Sequence, residues 1–304
     1  MTRSLALTFA SFALWGSIPH GFAATATSSP PLGEDLPKPG SAEYQSAREE
    51  FYENLRDFED RRDRVFRLGE IAFIEQPGGL EQRFAEVAFY GEFPSSPPAL
   101  YQLYYVGDAS VKRKVLSLWR ENWTFLGQGT STARTEMVRH GLRQQEWIVR
   151  REAALLAAEF PLRYIGHAVI DAAVEDPRLT RAALMALRLN REWQNTRWAL
   201  QMLGSENKET RDAALIALSA IGPRGKRFIV PEISSEDPAR RTRGVRALLT
   251  IATEEDLSVL FRWLDDHESD DPALAETVIE AIAGLESGIY VPAVPEMPDL
   301  GLAQ

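Results

Sequence analysis

The sequence predicts an all-α fold: an α-solenoid of paired antiparallel helices, with an N-terminal helical cap and a signal peptide ahead of it. Two observations carry that expectation. A helical stripe recurs along the chain behind a capping residue, at anchors Asp108, Glu146, Asp176, Asn207, Asp237 and Asp271, 38, 30, 31, 30 and 34 residues apart. Between most of these stripes there is room for a second helix, and paired helices at a period of about 30 to 47 residues are the mark of stacked helical repeats.

The stretch 205–222, SENKETRDAALIALSAIG, is the clearest copy. Asn207 can cap the helix, and Ala214, Leu215, Leu218 and Ile221 form one apolar face, closed by Gly222 and Pro223. A helix of this length cannot bury such a face alone, so it must stack on others. The anchors at 176, 237 and 271 read Asp-Pro. There the carboxylate caps free N–H groups while proline occupies the first helical position, where its missing N–H costs nothing. Glu146 is a poor cap, which leaves a start upstream of it open. The second helices are expected at Leu162–Val174, Trp193–Leu203, Arg224–Ile233 (interrupted by Pro231) and Glu255–Leu264.

Taken in order, residues 1–26 form a signal peptide: Arg3 supplies a positive start, Leu5–Ile18 is largely apolar, and Gly21-Phe22-Ala23 or Ala24-Thr25-Ala26 offers a cleavage site. The apolar run is short for a membrane span of about 20 residues, so the mature chain is expected to be exported, periplasmic or secreted, with no stable span. Residues 27–41 read as a Pro/Ser/Gly-rich linker. Residues 42–107 are the helical cap. Ser41 opens a long charged helix in which Tyr44, Phe51, Phe58 and Val65 recur every seven residues. Packing on the first repeat is expected over a dimerising coiled coil, because Arg62 falls where an a/d seam needs an apolar residue. Helices follow at Gly78–Gly91 and Pro98–Val106. The aromatic set Phe89, Tyr90, Phe93, Tyr101, Tyr104 and Tyr105 reads as the cap's core rather than as a ligand platform. The repeats occupy 108–286. Residues 287–304 are a Pro-rich tail whose Ile289, Tyr290, Val291, Leu300 and Leu302 suggest that it folds back on the last repeat.

The motifs TRAALMAL, TRDAALIAL and RRTRGVRALL resemble HEAT repeats, in particular the short kind shared with phycobilisome lyases. The resemblance covers Glu146 to Glu286, and Asp108 to Asn122 more weakly. It implies stacked helix pairs whose second helices line a concave surface. It also implies a ladder in which an Arg after each cap (Arg150, Arg211, Arg241 and the displaced Arg181) bonds to the Asp of the preceding unit. Activity does not follow, since that family holds scaffolds, lyases and hydroxylases alike.

Chemistry-bearing patterns are sparse. With 304 residues and no cysteine, the chain has no disulfide, thiol nucleophile or cysteine metal site. His140, His167 and His267 are isolated, and the acidic run Asp265–Asp271 lacks the glycine and spacing of a calcium loop. GQGTST at 127–132 lacks the lysine of a phosphate loop and reads as a turn. No catalytic residue, metal or cofactor is assigned. A pI near 5.1 argues against nucleic acid, yet charge is uneven. Residues 148–246 hold 17 basic and 12 acidic side chains, whereas residues 254–299 hold one and 13.

On the second helices the apolar sets Leu162, Ile165, Val169, Ala172 and Thr196, Ala199, Leu200, Leu203 should be buried. That leaves Arg163, His167, Arg197 and Trp198 facing outward as candidate partner-binding residues. The expected function is therefore an exported scaffold that holds a protein or peptide partner on its concave face. The alternatives are an enzyme or cofactor-handling, lyase-like protein on the same scaffold, or an envelope protein binding an anionic polymer. Intact mass of protein purified from the envelope should show cleavage after Ala23 or Ala26; a mass retaining residues 1–18 would refute export as a soluble chain.

Overall fold

The computed structural model describes residues 36–75, 78–123, 131–292, 294–297 and 300. The expected signal peptide, most of the expected linker, residues 127–130 of the GQGTST stretch and Leu302 lie outside the described residues. Within them the chain is helical throughout and contains no strand.

The N-terminal part differs from the single long helix expected. Helix α1 (Ala42–Asn54) starts where expected, with the Ser41 hydroxyl accepting from the Tyr44 N–H at 3.1 Å. It then ends in a short 3-10 turn, and Phe58 adopts an extended backbone. Asp60 caps a new helix, α2 (Arg61–Gly69), by accepting from the Arg62 N–H at 2.7 Å. The break lets both α1 and α2 pack on α3 (Gly79–Glu92), so a continuous heptad seam for a coiled coil does not exist. Helix α4 (Pro97–Val106) closes this region against α2. Phe89, Phe93 and Tyr104 are fully buried, whereas Tyr90 and Tyr105 keep an exposed edge. The aromatic cluster is mainly core, as its sequence suggests.

The anchored stripes appear as α5 (Ala109–Glu121), α7 (Trp147–Glu159), α9 (Thr180–Asn190), α11 (Lys208–Ile221), α13 (Pro238–Leu249) and α15 (Pro272–Glu286). Asp108, Asn207, Asp237 and Asp271 each accept a backbone N–H within their own first turn, at 2.9 to 3.1 Å. Glu146 makes no such bond. Alternating with them are α6 (Ser131–Leu142), α8 (Gly166–Glu175), α10 (Thr196–Met202), α12 (Lys226–Ile233) and α14 (Leu257–His267). Helix α6 falls where no second helix was expected; Ser131 and Thr132, read as part of a turn, open it.

Each anchored helix packs on the next, from α5 through α7, α9, α11 and α13 to α15. Five of the six also pack on a neighbouring second helix, α6 on α7, α8 on α9, α10 on α11, α12 on α13 and α14 on α15, while α5 packs on α4. Helix α9 shows what two-sided packing requires. Six consecutive residues, Ala182 to Leu187, are all buried. Small side chains allow the close approach, with Ala153, Ala154 and Ala157 on one neighbour and Ala213, Ala214 and Ala217 on the other also buried. At the α12–α13 joint the approach needs glycine: a Cβ on Gly244 would stand 2.8 Å from the Ile233 backbone nitrogen.

The arginine ladder exists but runs the other way from the expected one. Arg150 reaches forward to Asp176 at 3.1 Å, Arg181 forward to Glu209, and Arg241 forward to Asp270 at 3.3 Å. Arg211 makes no such pair among the described residues and donates instead to the carbonyls of Ser205 and Glu206 in its own preceding turn, as Arg241 does to Ser235 and Glu236 besides its ion pair. The reason is helical geometry: a long side chain in the first turn lies beside the loop that enters its own helix and points toward the cap of the next. Asp176 is held most firmly, since Arg178 and Arg150 both bond its carboxylate and keep it ionised below the usual carboxylate range.

The tail returns to the body, with Tyr290 and Leu300 both partly buried against the core. Tyr290 donates its hydroxyl to the Leu249 carbonyl and lays its ring against Gly284, while Ile289 and Val291 stay exposed. Leu218 is 1% exposed on the packed face of α11, and Glu209 is an exposed partner of Arg181. Leu218→Asp should therefore lower the melting temperature sharply by burying an unpaired carboxylate, about 3 kcal/mol or more. Glu209→Ala should cost about 1 kcal/mol or less. Equal melting temperatures for the two variants would mean that the packed face is misplaced.

Candidate functional site

A cleft of about 510 Å³ opens where α6, α8 and the turns that follow α9 and α11 meet. Its wall is built on two residues in the left-handed backbone region, Tyr164 (φ 58°) and Arg191 (φ 50°). They are the only non-glycine residues with positive φ among the described residues. A side chain in that region is strained unless its surroundings hold it there, and such residues gather at functional sites.

Neighbouring segments supply that hold. Arg139 on α6 donates to the Tyr164 carbonyl and pairs with Glu136. From the other side Asn190, the last residue of α9, accepts from the Leu162 N–H at 2.8 Å while its amide donates to Ala186 at 2.7 Å. Glu192 places both carboxylate oxygens 3.1 and 3.2 Å from the Gly166 N–H, at the start of α8. An anion there satisfies a free N–H and suits the helix dipole. Gly166 is the residue this contact allows: a Cβ would lie 2.1 Å from Glu192 and 2.2 Å from Asn195. Arg191 itself ends α9, its N–H bonded to Leu187 at 2.8 Å.

These ties consume Glu136, Arg139, Asn190 and Glu192. The side chains of Arg143, His167, Asp171, Arg191, Gln194 and Arg224 line the cleft with no hydrogen bond or ion pair to another described residue. Tyr164 is 77% exposed, and Trp193 stacks on Phe228 with the Arg227 guanidinium 3.6 Å from its ring centre. Free cations beside aromatic surface, in an open cleft of this size, are suited to holding an anionic or amphipathic ligand.

Of the four residues expected to bind a partner, His167 lies in the cleft. Arg163 and Arg197 are exposed but do not line it. Arg197 sits 5.2 Å from the Phe228 ring. Trp198 is half-buried, with part of its ring packed against the core. The apolar sets behind these residues are buried as expected. The sequence reading missed Tyr164, Arg191 and Trp193. The one usable signal for Arg191 was Asn190 at the end of a helical stripe, a common place for a left-handed turn.

Other polar clusters are spent on structure. The Tyr104 hydroxyl meets His140 Nδ1 at 3.0 Å between α4 and α6, and burial pushes the phenol up and the imidazole down. Glu152 is buried against Arg120 at 3.2 Å, and burial raises its carboxyl against the pull of the arginines. A second cavity, about 470 Å³, is lined by Lys226, Thr253 and Tyr290, but Lys226 is bonded to Thr253 and Asp256. No group of three or more His, Cys, Asp or Glu placed to hold a metal occurs among the described residues. No helix among them is long and apolar enough to cross a membrane.

Comparison with known proteins adds little to this geometry. No family model matches the chain, and no curated protein matches it. Among solved structures, an engineered protein determined by a structural genomics consortium is 18% identical over 81% of this chain and 99% of its own, with a TM-score of 0.23. A likeness at that level carries no argument about fold or function.

The Gly166–Glu192 contact can be tested directly. Gly166→Ala should destabilise the protein by about 1–3 kcal/mol, because the methyl evicts a carboxylate that caps α8. Glu192→Gln, whose amide oxygen can still accept, should cost less. Urea denaturation of both variants measures the difference, and a silent Gly166→Ala would show that the cleft wall is not built on this tie.

Proposed function

We propose that the protein is an exported HEAT-like α-solenoid that binds a protein or peptide partner on the face formed by its second helices. The observation that carries this reading is the cleft: two left-handed residues are held by polar ties from neighbouring segments. That firmly held wall presents Tyr164, Trp193, His167 and unpartnered arginines to solvent. Rigid aromatic and arginine side chains are the groups that anchor protein interfaces. The helix order supports the solenoid, since anchored helices and second helices alternate and pack in series. Export rests on residues 1–26 of the sequence.

The test is site-specific crosslinking. A photoreactive residue in place of His167 should give a discrete adduct in the envelope fraction of the source organism. The same residue in place of Lys208, exposed in the first turn of α11, should give none. Trp193→Ala should weaken capture by about tenfold or more, as truncation of a central aromatic anchor does. Crosslinking only from position 208, or equally from both, would refute the proposed face.

A further inference from the structure

We infer that the cleft receives an extended acidic peptide segment, one whose carboxylates recur about every third residue. This rests on the proposed binding face and names the chemistry of its partner. Two arguments support it, charge and spacing.

The charge argument counts only the groups left free. Glu136 is paired with Arg139, and Glu192 keeps its charge but turns it toward the Gly166 N–H at the start of α8. What remains is Arg143, Arg191 and Arg224 against Asp171 and the inward-turned Glu192, an excess of positive charge on the lining. All three arginines are exposed, and Arg227, stacked on Trp193, adds a further positive charge at the rim. Arginine clusters of this kind recognise carboxylates through paired N–H groups.

Spacing favours a peptide in extended form. Tyr164, Arg191 and Arg224 occupy corresponding places, the turns between first and second helices of three successive pairs, α7–α8, α9–α10 and α11–α12. Packed helices stand about 8–10 Å apart, and a chain extended as polyproline II advances about 3.1 Å per residue with about three residues per turn, so that every third side chain falls on the same face. A side chain of the ligand therefore meets a new turn about every third residue: an apolar or aromatic one at Tyr164, a carboxylate at each arginine. The next turn along reverses sign, with exposed Glu254 and Glu255 in the short helical turn before α14. That reversal ends the acidic register there and favours a basic residue beyond it.

The probe is a dye-labelled peptide, Phe-Gly-Ser-Glu-Gly-Ser-Glu, compared by fluorescence anisotropy with versions carrying Gln or Lys in place of Glu. Full-length mature protein should bind the Glu peptide, bind the Gln peptide about tenfold more weakly, and fail to bind the Lys peptide. Affinity for the Glu peptide should also fall as salt rises toward about 0.15 M. Arg191→Asn with Arg224→Gln should cost about tenfold in Kd for the Glu peptide and leave the Gln peptide unchanged. Asn is chosen because it tolerates the left-handed backbone at 191, and an unchanged melting temperature confirms that the variant folds. Equal binding of the Glu and Gln peptides, no binding of any peptide, or tighter binding of a polyuronate chain than of the Glu peptide would each overturn the inference. A crosslink from position 167 surviving such a result would leave the binding face standing and remove only its acidic ligand.

Discussion

The constraint on which the structure depends is that an anchored helix inside the stack, such as α9, must be buried on two opposite sides at once. An amphipathic helix on a globular surface needs one apolar stripe, but α9 lies between α7 and α11 and buries every residue from Ala182 to Leu187. Alanine answers that demand because it hides no polar group, loses no rotamer freedom and lets two helices come close. Once the anchored helices are that near, the second helices have little room, which accounts for the brevity of α10 and for the glycine at 244 where α13 meets α12. It also brings the connecting turns within hydrogen-bonding reach of one another, as Glu192 and Asn190 show by bonding to Gly166 and Leu162.

Much of the helical pattern could be read from the chain because caps and apolar periodicity are local signals. Asp108, Asn207, Asp237 and Asp271 announce their helices within four residues, and the buried sets on α8 and α10 follow from a period of 3.6. Three features resisted for physical reasons. The break at 55–60 looks like continuous helix, since Leu55 and Phe58 keep the apolar spacing; only α3, packing on both halves, reveals why the chain must bend. Helix α6 mixes arginines and threonine with few apolar residues, so its stripe is faint, although Met137, Val138 and Leu142 are buried. The direction of the arginine pairs is set by side-chain reach between helices, which no linear spacing contains.

The cleft was the least legible part, and the reason is general. Its lining comes from α6, from α8 and from two connecting turns, brought together by packing and not by sequence proximity. Reasoning from helix faces picks out residues that point away from the core, which is how His167 was found. Reasoning from faces does not see turns, where Tyr164, Arg191 and Arg224 lie. Nor does it separate committed from free charges. By residue type Glu192 resembles a ligand-binding group, yet its carboxylate is occupied by a backbone N–H of the neighbouring segment.

The forward direction of the arginine pairs has a consequence for how such a chain can change in length. Each pairing joins an arginine near the start of one anchored helix to an acid at or near the start of the next: Arg150 with Asp176, Arg181 with Glu209, Arg241 with Asp270. The acid differs in type and in place, but these three joints share one polarity, basic group upstream and acidic group downstream, while Arg211 on α11 bonds instead to carbonyls of its own preceding turn. A duplicated or deleted segment of one whole helix pair would then carry a compatible half-joint at either end, and the seam would close without a new contact having to arise. A segment cut within such a pair would separate Arg150, Arg181 or Arg241 from the acid it meets. The array is thus divisible at some places and not at others, and the permitted cuts fall at its capping residues.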